Sequence, residues 1–188
     1  MNPVWKRIEN WLQAHAPTAF AGLNGPASLE QIEQAERTLG VRLPDDVQAA
    51  YLRHNGQDPD APLALLGWEF LSLEEVVAQW SIWKDLLDSG TFTDTHSNAD
   101  GRLVKQDWWN TAWIPFTHNG GGDHFCIDLD PAAEGTAGQI IEMWHDEGSR
   151  PVLADSFEAF LSAYADSLEA GDYLYDDDYF AVVHKDDV

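Results

Sequence analysis

The stretch His124-Phe125-Cys126-Ile127-Asp128-Leu129-Asp130 decides the fold class, because its side chains alternate regularly along the chain. In a β-strand, successive side chains point to opposite faces of the sheet. One face would carry Phe125, Ile127 and Leu129, and the other would carry the remaining four. The alternation therefore predicts a half-buried strand of an antiparallel sheet.

Further strands are predicted on both sides of this segment. They cover residues 113–116, 139–145 and 150–154, with a glycine-rich turn at 119–122. Residues 91–106 are polar and contain glycine and asparagine, so they are expected to form a long surface loop. The strands follow one another closely, as in an antiparallel meander.

Helices are predicted before and after the sheet. Ser28 with Gln31, and Ser72 with Glu75, form capping-box patterns that start helices ending near Gly40 and Gly90. Other helices start at Asn2-Pro3, after Pro44, and at Asp155 with Glu158 as caps, the last ending at Gly171. The result is a single α+β domain with N-terminal helices, a central antiparallel β-sheet and a C-terminal helix packed on the sheet.

The domain is expected to span residues 1–171. Residues 172–188 form an acidic, aromatic C-terminal tail in which carboxylates stand beside tyrosine and phenylalanine. That density of carboxylates disfavours a packed helix. The apolar residues near 180–183 leave open a strand or hook against the body.

The composition combines a folded core with a strongly negative charge. The formal net charge is −23, yet 44% of the residues are hydrophobic and nine are Trp, unlike a disordered acidic chain. Such a field repels nucleic acid and anionic membranes and favours a basic protein partner. The alternative is that the acidity serves only solubility. Cys126 is the single cysteine, and no apolar run approaches the roughly 18 residues of a membrane helix, so a cytoplasmic location is expected.

Several fragments, in order, resemble the SUKH superfamily, which includes the Smi/Knr cell-wall assembly regulators of yeast and many bacterial proteins. The resemblance runs from about residue 32 to 171. The fragments are Ile32 to Glu36, Leu39-Gly40-Val41-Arg42-Leu43-Pro44-Asp45-Asp46, Asn55-Gly56, Trp113-Ile114-Pro115, Gly121-Gly122-Asp123, Cys126 to Leu129, Gly138 to Ile141, Asp155-Ser156-Phe157 and Phe160-Leu161.

This resemblance implies an α+β protein that binds other proteins and catalyses nothing. Bacterial members are often immunity proteins that neutralise a polymorphic toxin, commonly a nuclease, by binding and occluding it. The yeast type carries long disordered flanks, and the lack of such flanks here favours the bacterial type. We therefore expect an immunity protein with a basic toxin domain as its partner. The alternative is a cytosolic regulatory adaptor of the Smi/Knr type with no toxin partner.

Tryptophan and carboxylate side chains are the candidates for partner contact. Trp is enriched at binding hot spots, and Asp107, Trp108 and Trp109 are the first choice, because adjacent Trp residues in a strand would leave one exposed. Packing in the core is the competing interpretation. The second group is Trp68, Glu69, Glu142 and Trp144, and the carboxylates of Asp123 and Asp128 are expected to speed association with a basic partner.

Other residue groups could carry chemistry but do not define a site. Asp123 follows the glycines where a phosphate loop needs Lys, so a turn is favoured. Asp128 and Asp130 could share a cation, and His118, His124 and His145 could converge. A hydrolase using Cys126, His124 and Asp123 is the third hypothesis. No catalytic residue, cofactor or metal ligand is assigned.

Overall fold

The computed structural model describes residues 3–188 of the chain. These residues contain six α-helices and eight β-strands. The predicted helix start at Asn2 lies outside these residues. The helices are α1 Pro3–His15, α2 Pro17–Ala21, α3 Leu29–Leu39, α4 Asp45–Tyr51, α5 Leu73–Asp88 and α6 Phe157–Ala170. The strands are β1 Glu69–Phe70, β2 Trp113–Pro115, β3 Thr117–His118, β4 His124–Asp128, β5 Gln139–Met143, β6 Val152–Ala154, β7 Tyr173–Asp176 and β8 Ala181–His184.

Local capping determines where the longer helices begin. Both predicted capping boxes are confirmed: the Ser28 hydroxyl accepts from the Gln31 amide, and the Ser72 hydroxyl accepts from the Glu75 amide. The prediction for α6 is wrong by one residue. Its cap is Ser156, whose hydroxyl accepts from the Ala159 amide at 3.1 Å, because this serine directly precedes the first helical residue.

The main sheet has four antiparallel strands in the order β2-β4-β5-β6. Strand β4 is central to it and pairs Ile127 with Ile114 of β2 on one side and with Ile140 of β5 on the other. The predicted α+β class is therefore confirmed. Helix α6 contacts β5 and β6, so the C-terminal helix does pack on the sheet.

The prediction that β4 is half-buried is wrong, since all five of its residues are buried. On one face Phe125 meets Phe160 of α6 edge-to-face, with ring centroids 5.7 Å apart. On the other face His124 lies against Trp83 of α5, and Trp109 stacks on that same Trp83. Helix α5 and the 89–112 segment therefore cover the face that carries the polar residues.

Two strand pairs lie outside the main sheet. Strands β1 and β3 form one pair, and β7 and β8 form the other, in the predicted tail. Leu63 binds the second pair: its amide donates to the Phe180 carbonyl at 3.0 Å, and its carbonyl accepts from the Val182 amide at 2.9 Å. The tail thus joins the body as a strand pair. The boundary at 171 stays a prediction.

The longest helices of residues 3–188 are too short or too polar to span a lipid bilayer.

Two glycines share the same positive φ, and comparing alanine substitutions at them separates the effect of a steric clash from that of conformational strain. Gly40 and Gly56 both have φ of +72°, but a Cβ on Gly56 would lie 2.3 Å from the Ser72 nitrogen, whereas one on Gly40 meets nothing within 4 Å. We expect Gly40→Ala to lower the free energy of unfolding by about 1–2 kcal/mol. Gly56→Ala should cost clearly more, because backbone atoms must move. Urea unfolding of both variants measures the difference, and equal losses would contradict the steric argument.

Candidate functional site

Part of the second predicted group comes together at one end of the sheet. The Trp68 ring stacks on Phe125 with centroids 4.4 Å apart, and Phe125 lies directly opposite Glu142 of β5. Trp144 follows Glu142 at the alternate position and so continues the same side of the strand. We call Trp68, Phe125, Glu142 and Trp144 the sheet-end patch.

The sheet-end patch is amphipathic. Trp144 is 41% exposed, while Trp68 and Glu142 are half-buried. Phe160 of α6 packs against the Phe125 ring, on which Trp68 stacks. A large, partly exposed Trp beside a carboxylate on a rigid base is suited to contact with another protein.

Glu69, the remaining member of the second group, lies on the other side of the same sheet end. It pairs across β1 and β3 with His118, whose ring stacks on His124 at 5.1 Å. Burial raises the pKa of Glu69, and the nearby Glu75 carboxylate raises it further. The structure therefore divides the second group between two sides of the sheet.

His124 is held as a neutral imidazole. Its Nδ1 lies 2.7 Å from the Thr117 carbonyl and therefore carries the proton, while Nε2 accepts from the Trp83 indole at 3.3 Å. Burial lowers the pKa of His124 to about 4, and burial also lowers the pKa of His118. The predicted convergence of histidines is confirmed for this pair, but both rings lack charge at neutral pH.

Asp123 organises the turn between β3 and β4. Its Oδ1 accepts from both the amide and the Nδ1 of His145, each at 2.8 Å, and its Oδ2 accepts from Asn119. Burial alone would raise the pKa of Asp123, but these hydrogen bonds outweigh it and hold the pKa below its usual range. The side chain is buried, so the structure does not place it where it could meet a partner.

A His and two carboxylates lie close together at this turn. Ligand atoms of Asp123, His145 and Asp146 fall within 4.8 Å of one another. Both oxygens of Asp123 already accept hydrogen bonds, so a cation would have to displace donors of the protein. We assign no metal to this group.

The first predicted group consists of Asp107, Trp108 and Trp109. Its two tryptophans help to pack the 89–112 segment against the rest of the fold and do not form the exposed surface expected of them. These residues form a bend and not the strand assumed for them. Trp109 is buried between Trp80 and Trp83, with ring centroids 6.2 Å from each. Trp108 is half-buried, and the exposed Asp107 accepts from Asn110 at 2.8 Å.

Arg150 explains why Trp108 is held inward. The guanidinium donates to the Trp108 carbonyl at 2.7 Å and to the Ser149 carbonyl at 2.6 Å, and it lies over the rings of Trp108 and Trp113. Burial lowers its pKa to about 10, which leaves it charged at neutral pH. Sequence reasoning missed this residue. The available signal was that Arg150 is the only Lys or Arg between Lys105 and Lys185.

Asp128 and Cys126 are interior residues on the face beneath α5. Asp128 is fully buried and accepts from the Gln139 side chain at 2.9 Å, while Asp130 pairs instead with Lys105 at 2.5 Å. Burial raises the pKa of Asp128 and that of the Cys126 thiol. The sequence predicts that Asp128 meets a partner, but this side chain has no exposed surface with which to do so. Burial also disfavours the thiolate form of Cys126 that a nucleophile requires.

Together, fold and site define an α+β domain with an aromatic patch at one end of the sheet and with Asp123, His124 and Asp128 hydrogen-bonded inside the protein. The family model for the SMI1/KNR4 family (SUKH-1) matches residues 26–163, and the chain belongs to this family. The predicted resemblance to the SUKH superfamily is thereby confirmed.

Several curated relatives are fungal proteins. The cell wall assembly regulator SMI1 of Saccharomyces cerevisiae is 28% identical over 216 residues, which cover 95% of this chain and 43% of the relative. The glucan synthesis regulatory protein of Neurospora crassa is 26% identical, with 93% of this chain and 39% of the relative covered. The cell wall biosynthesis/cell cycle regulator smi1 of Schizosaccharomyces pombe is 26% identical, with 93% of this chain and 37% of the relative covered. The chain spans less than half the length of these relatives.

The relatives correct the expected function. The prediction of a bacterial-type immunity protein with a basic toxin partner is wrong, because these relatives are regulators of cell-wall and glucan synthesis. The error came from using net charge and chain ends to choose between two branches of one family. Charge reports on the surface field and solubility, and it does not identify a partner.

We expect the low pKa of His124 to make the protein sensitive to acid. Below its ordinary pKa of 6.5 the unfolded chain binds a proton that the folded chain takes up only near pH 4, so stability falls between these values. The slope is up to about 1.4 kcal/mol per pH unit for one proton. His124→Gln, whose amide can serve both hydrogen-bond partners, should flatten the pH dependence of the free energy of unfolding.

His145→Gln is the matched control, because hydrogen bonding to Asp123 raises the pKa of His145. A raised pKa contributes stability that is complete below about pH 6.5 and is lost as the pH rises through the folded-state pKa, so removing this histidine should leave the slope between pH 4 and 6.5 as in the parent chain. Urea unfolding between pH 4 and 7 distinguishes the two variants. A parent-like slope below pH 6.5 in the His124→Gln variant would refute the assignment.

Proposed function

We propose that this chain is a non-catalytic regulatory adaptor that acts in the cytoplasm in the control of cell-wall synthesis by binding another protein. Membership in the SMI1/KNR4 family supports the regulatory role, as do relatives named as regulators of cell-wall assembly and glucan synthesis. The proposal includes no toxin partner.

The exposed Trp144 ring is the main observation in support of protein binding. It is 41% exposed at the end of a strand whose preceding residues, from Gln139 to Met143, are anchored in the sheet. A rigid aromatic side chain loses little conformational entropy on binding. The neighbouring Glu142 and the stacked pair of Trp68 and Phe125 add a polar rim and a firm support.

The state of the interior titratable groups supports a non-catalytic role. His124 is neutral and bonded on both ring nitrogens, and Asp123 is saturated by donors. Burial raises the pKa of Cys126. A general base or nucleophile must instead be within reach of a substrate and poised to exchange a proton. His124 and Asp123 serve hydrogen bonding inside the fold.

A chimera tests the proposal. The matched segment of the Saccharomyces cerevisiae regulator is replaced by this chain, and the chimera is expressed in a strain that lacks the regulator. We expect the chimera to restore growth in the presence of a cell-wall-binding dye. Trp144→Ala should abolish that rescue, since truncation of a hot-spot residue costs about 2 kcal/mol or more, or roughly a 30-fold loss of affinity.

Leu153→Ala is the matched control for Trp144→Ala. Leu153 is also apolar and 42% exposed, but it lies on the edge strand β6 outside the sheet-end patch. Both variants should show the thermal unfolding of the parent chain. Failure of a well-expressed chimera to restore growth would count against the regulatory role, and equal rescue by both variants would count against the patch.

A further inference from the structure

One flank of α5 combines charge and exposed apolar surface, separate from the sheet-end patch. Glu75, Ile82 and Leu86 are spaced by seven and four residues, so they lie on the same side of the helix. Ile82 is 54% exposed and Leu86 is 37% exposed, whereas Trp80 and Trp83 of the same helix are buried. We call Glu75, Ile82 and Leu86 the α5 flank.

Two carboxylates meet at the N-terminal end of the α5 flank. Glu75 accepts from the amide and the hydroxyl of Ser72 at 3.0 and 2.8 Å, which fixes its position. Glu69 of β1 lies three residues before Ser72, and the Glu75 carboxylate is near enough to raise the pKa of Glu69. Within residues 3–188, neither carboxylate forms an ion pair with Lys or Arg.

The nearby histidine does not supply the missing positive charge. His118 is the cross-strand neighbour of Glu69, and burial lowers its pKa. The pair of carboxylates is therefore a partly buried negative site that a cation from outside the described chain would relieve. A like-charged pair of this kind costs free energy when both members are ionised.

We propose that the α5 flank docks one amphipathic helix of another protein, which places a single Lys or Arg on Glu69 and Glu75 and two apolar side chains on Ile82 and Leu86. The inference adds a second contact surface to the protein-binding role proposed above and rests on that role. Glu75 and Leu86 are eleven residues apart, about 16 Å along the axis, which three turns of a partner helix would span.

The geometry favours a helix over other occupants. Ile82 and Leu86 are one turn apart, and a helix presents pairs of apolar residues at the same interval, so their ridges can interlock. A second copy of this chain is disfavoured because each copy carries a net charge of −23. The cationic residue would pair with the carboxylates in a partly desolvated position and so specify the direction of the bound helix.

Selection from a library tests the proposal without knowledge of the natural partner. The probe is a phage-displayed library of 16-residue peptides on a helical scaffold, selected against the full chain. We expect enriched peptides to carry apolar residues four positions apart and a Lys or Arg about seven positions from the nearer one. The best synthetic peptide is then titrated against variants by fluorescence anisotropy.

Four variants define the outcome. Ile82→Asp and Glu75→Gln should each weaken the peptide at least tenfold, and glutamine at position 75 retains the capping box. The controls are Leu29→Asp, which changes an apolar residue 63% exposed on α3, and Glu74→Gln, which neutralises a neighbour that points to another side of α5. Both controls should bind as the parent does.

The result is separable from the test of the sheet-end patch. Trp144→Ala should leave the selected peptide bound to the α5 flank even if it abolishes rescue in the chimera. Failure to enrich the expected pattern, or equal weakening by Ile82→Asp and Leu29→Asp, would overturn the inference about α5. Neither result would alter the outcome of the chimera experiment.

Discussion

Burial of β4 on both faces is the constraint on which the rest of the structure depends. One face packs aromatic rings against α6, where Phe125 and Phe116 meet Phe160 and Phe157. The other face carries His124 and Asp128 and therefore needs internal hydrogen-bond partners, since a buried polar group without one is costly. Covering that second face requires α5 and the 89–112 segment.

The polar face is satisfied by groups from neighbouring strands and from α5. Thr117 and Trp83 bind His124, and Gln139 binds Asp128. Arg150 anchors the 89–112 segment through the Trp108 carbonyl. Titratable residues that look reactive in the sequence are thus used to join elements. The same arrangement leaves the sheet end and the outer side of α5 open to another molecule.

These two surfaces are supported by different helices. The sheet-end patch has its aromatic support in α6, and the α5 flank has its carboxylates held by Ser72 and by β1. An adaptor with two contact surfaces can bring two segments of one partner, or two partners, into a defined relation. The negative charge of the chain sets the field around both surfaces. In the proposed role, specificity comes from the arrangement of the named side chains.

Local patterns in the sequence were sufficient for the helix starts at Ser28 and Ser72 and for the family, and they predicted a strand over 124–130 that the structure ends at Asp128. Caps and alternation depend on neighbouring residues. Tertiary structure alone decided which carboxylates and tryptophans remain exposed. Asp123, Asp128 and Trp109 are buried by residues far away in the sequence, whereas Trp144 is left partly open to solvent. Exposure depends on which distant elements cover a side chain, and alternation within one strand cannot report what lies above either of its faces.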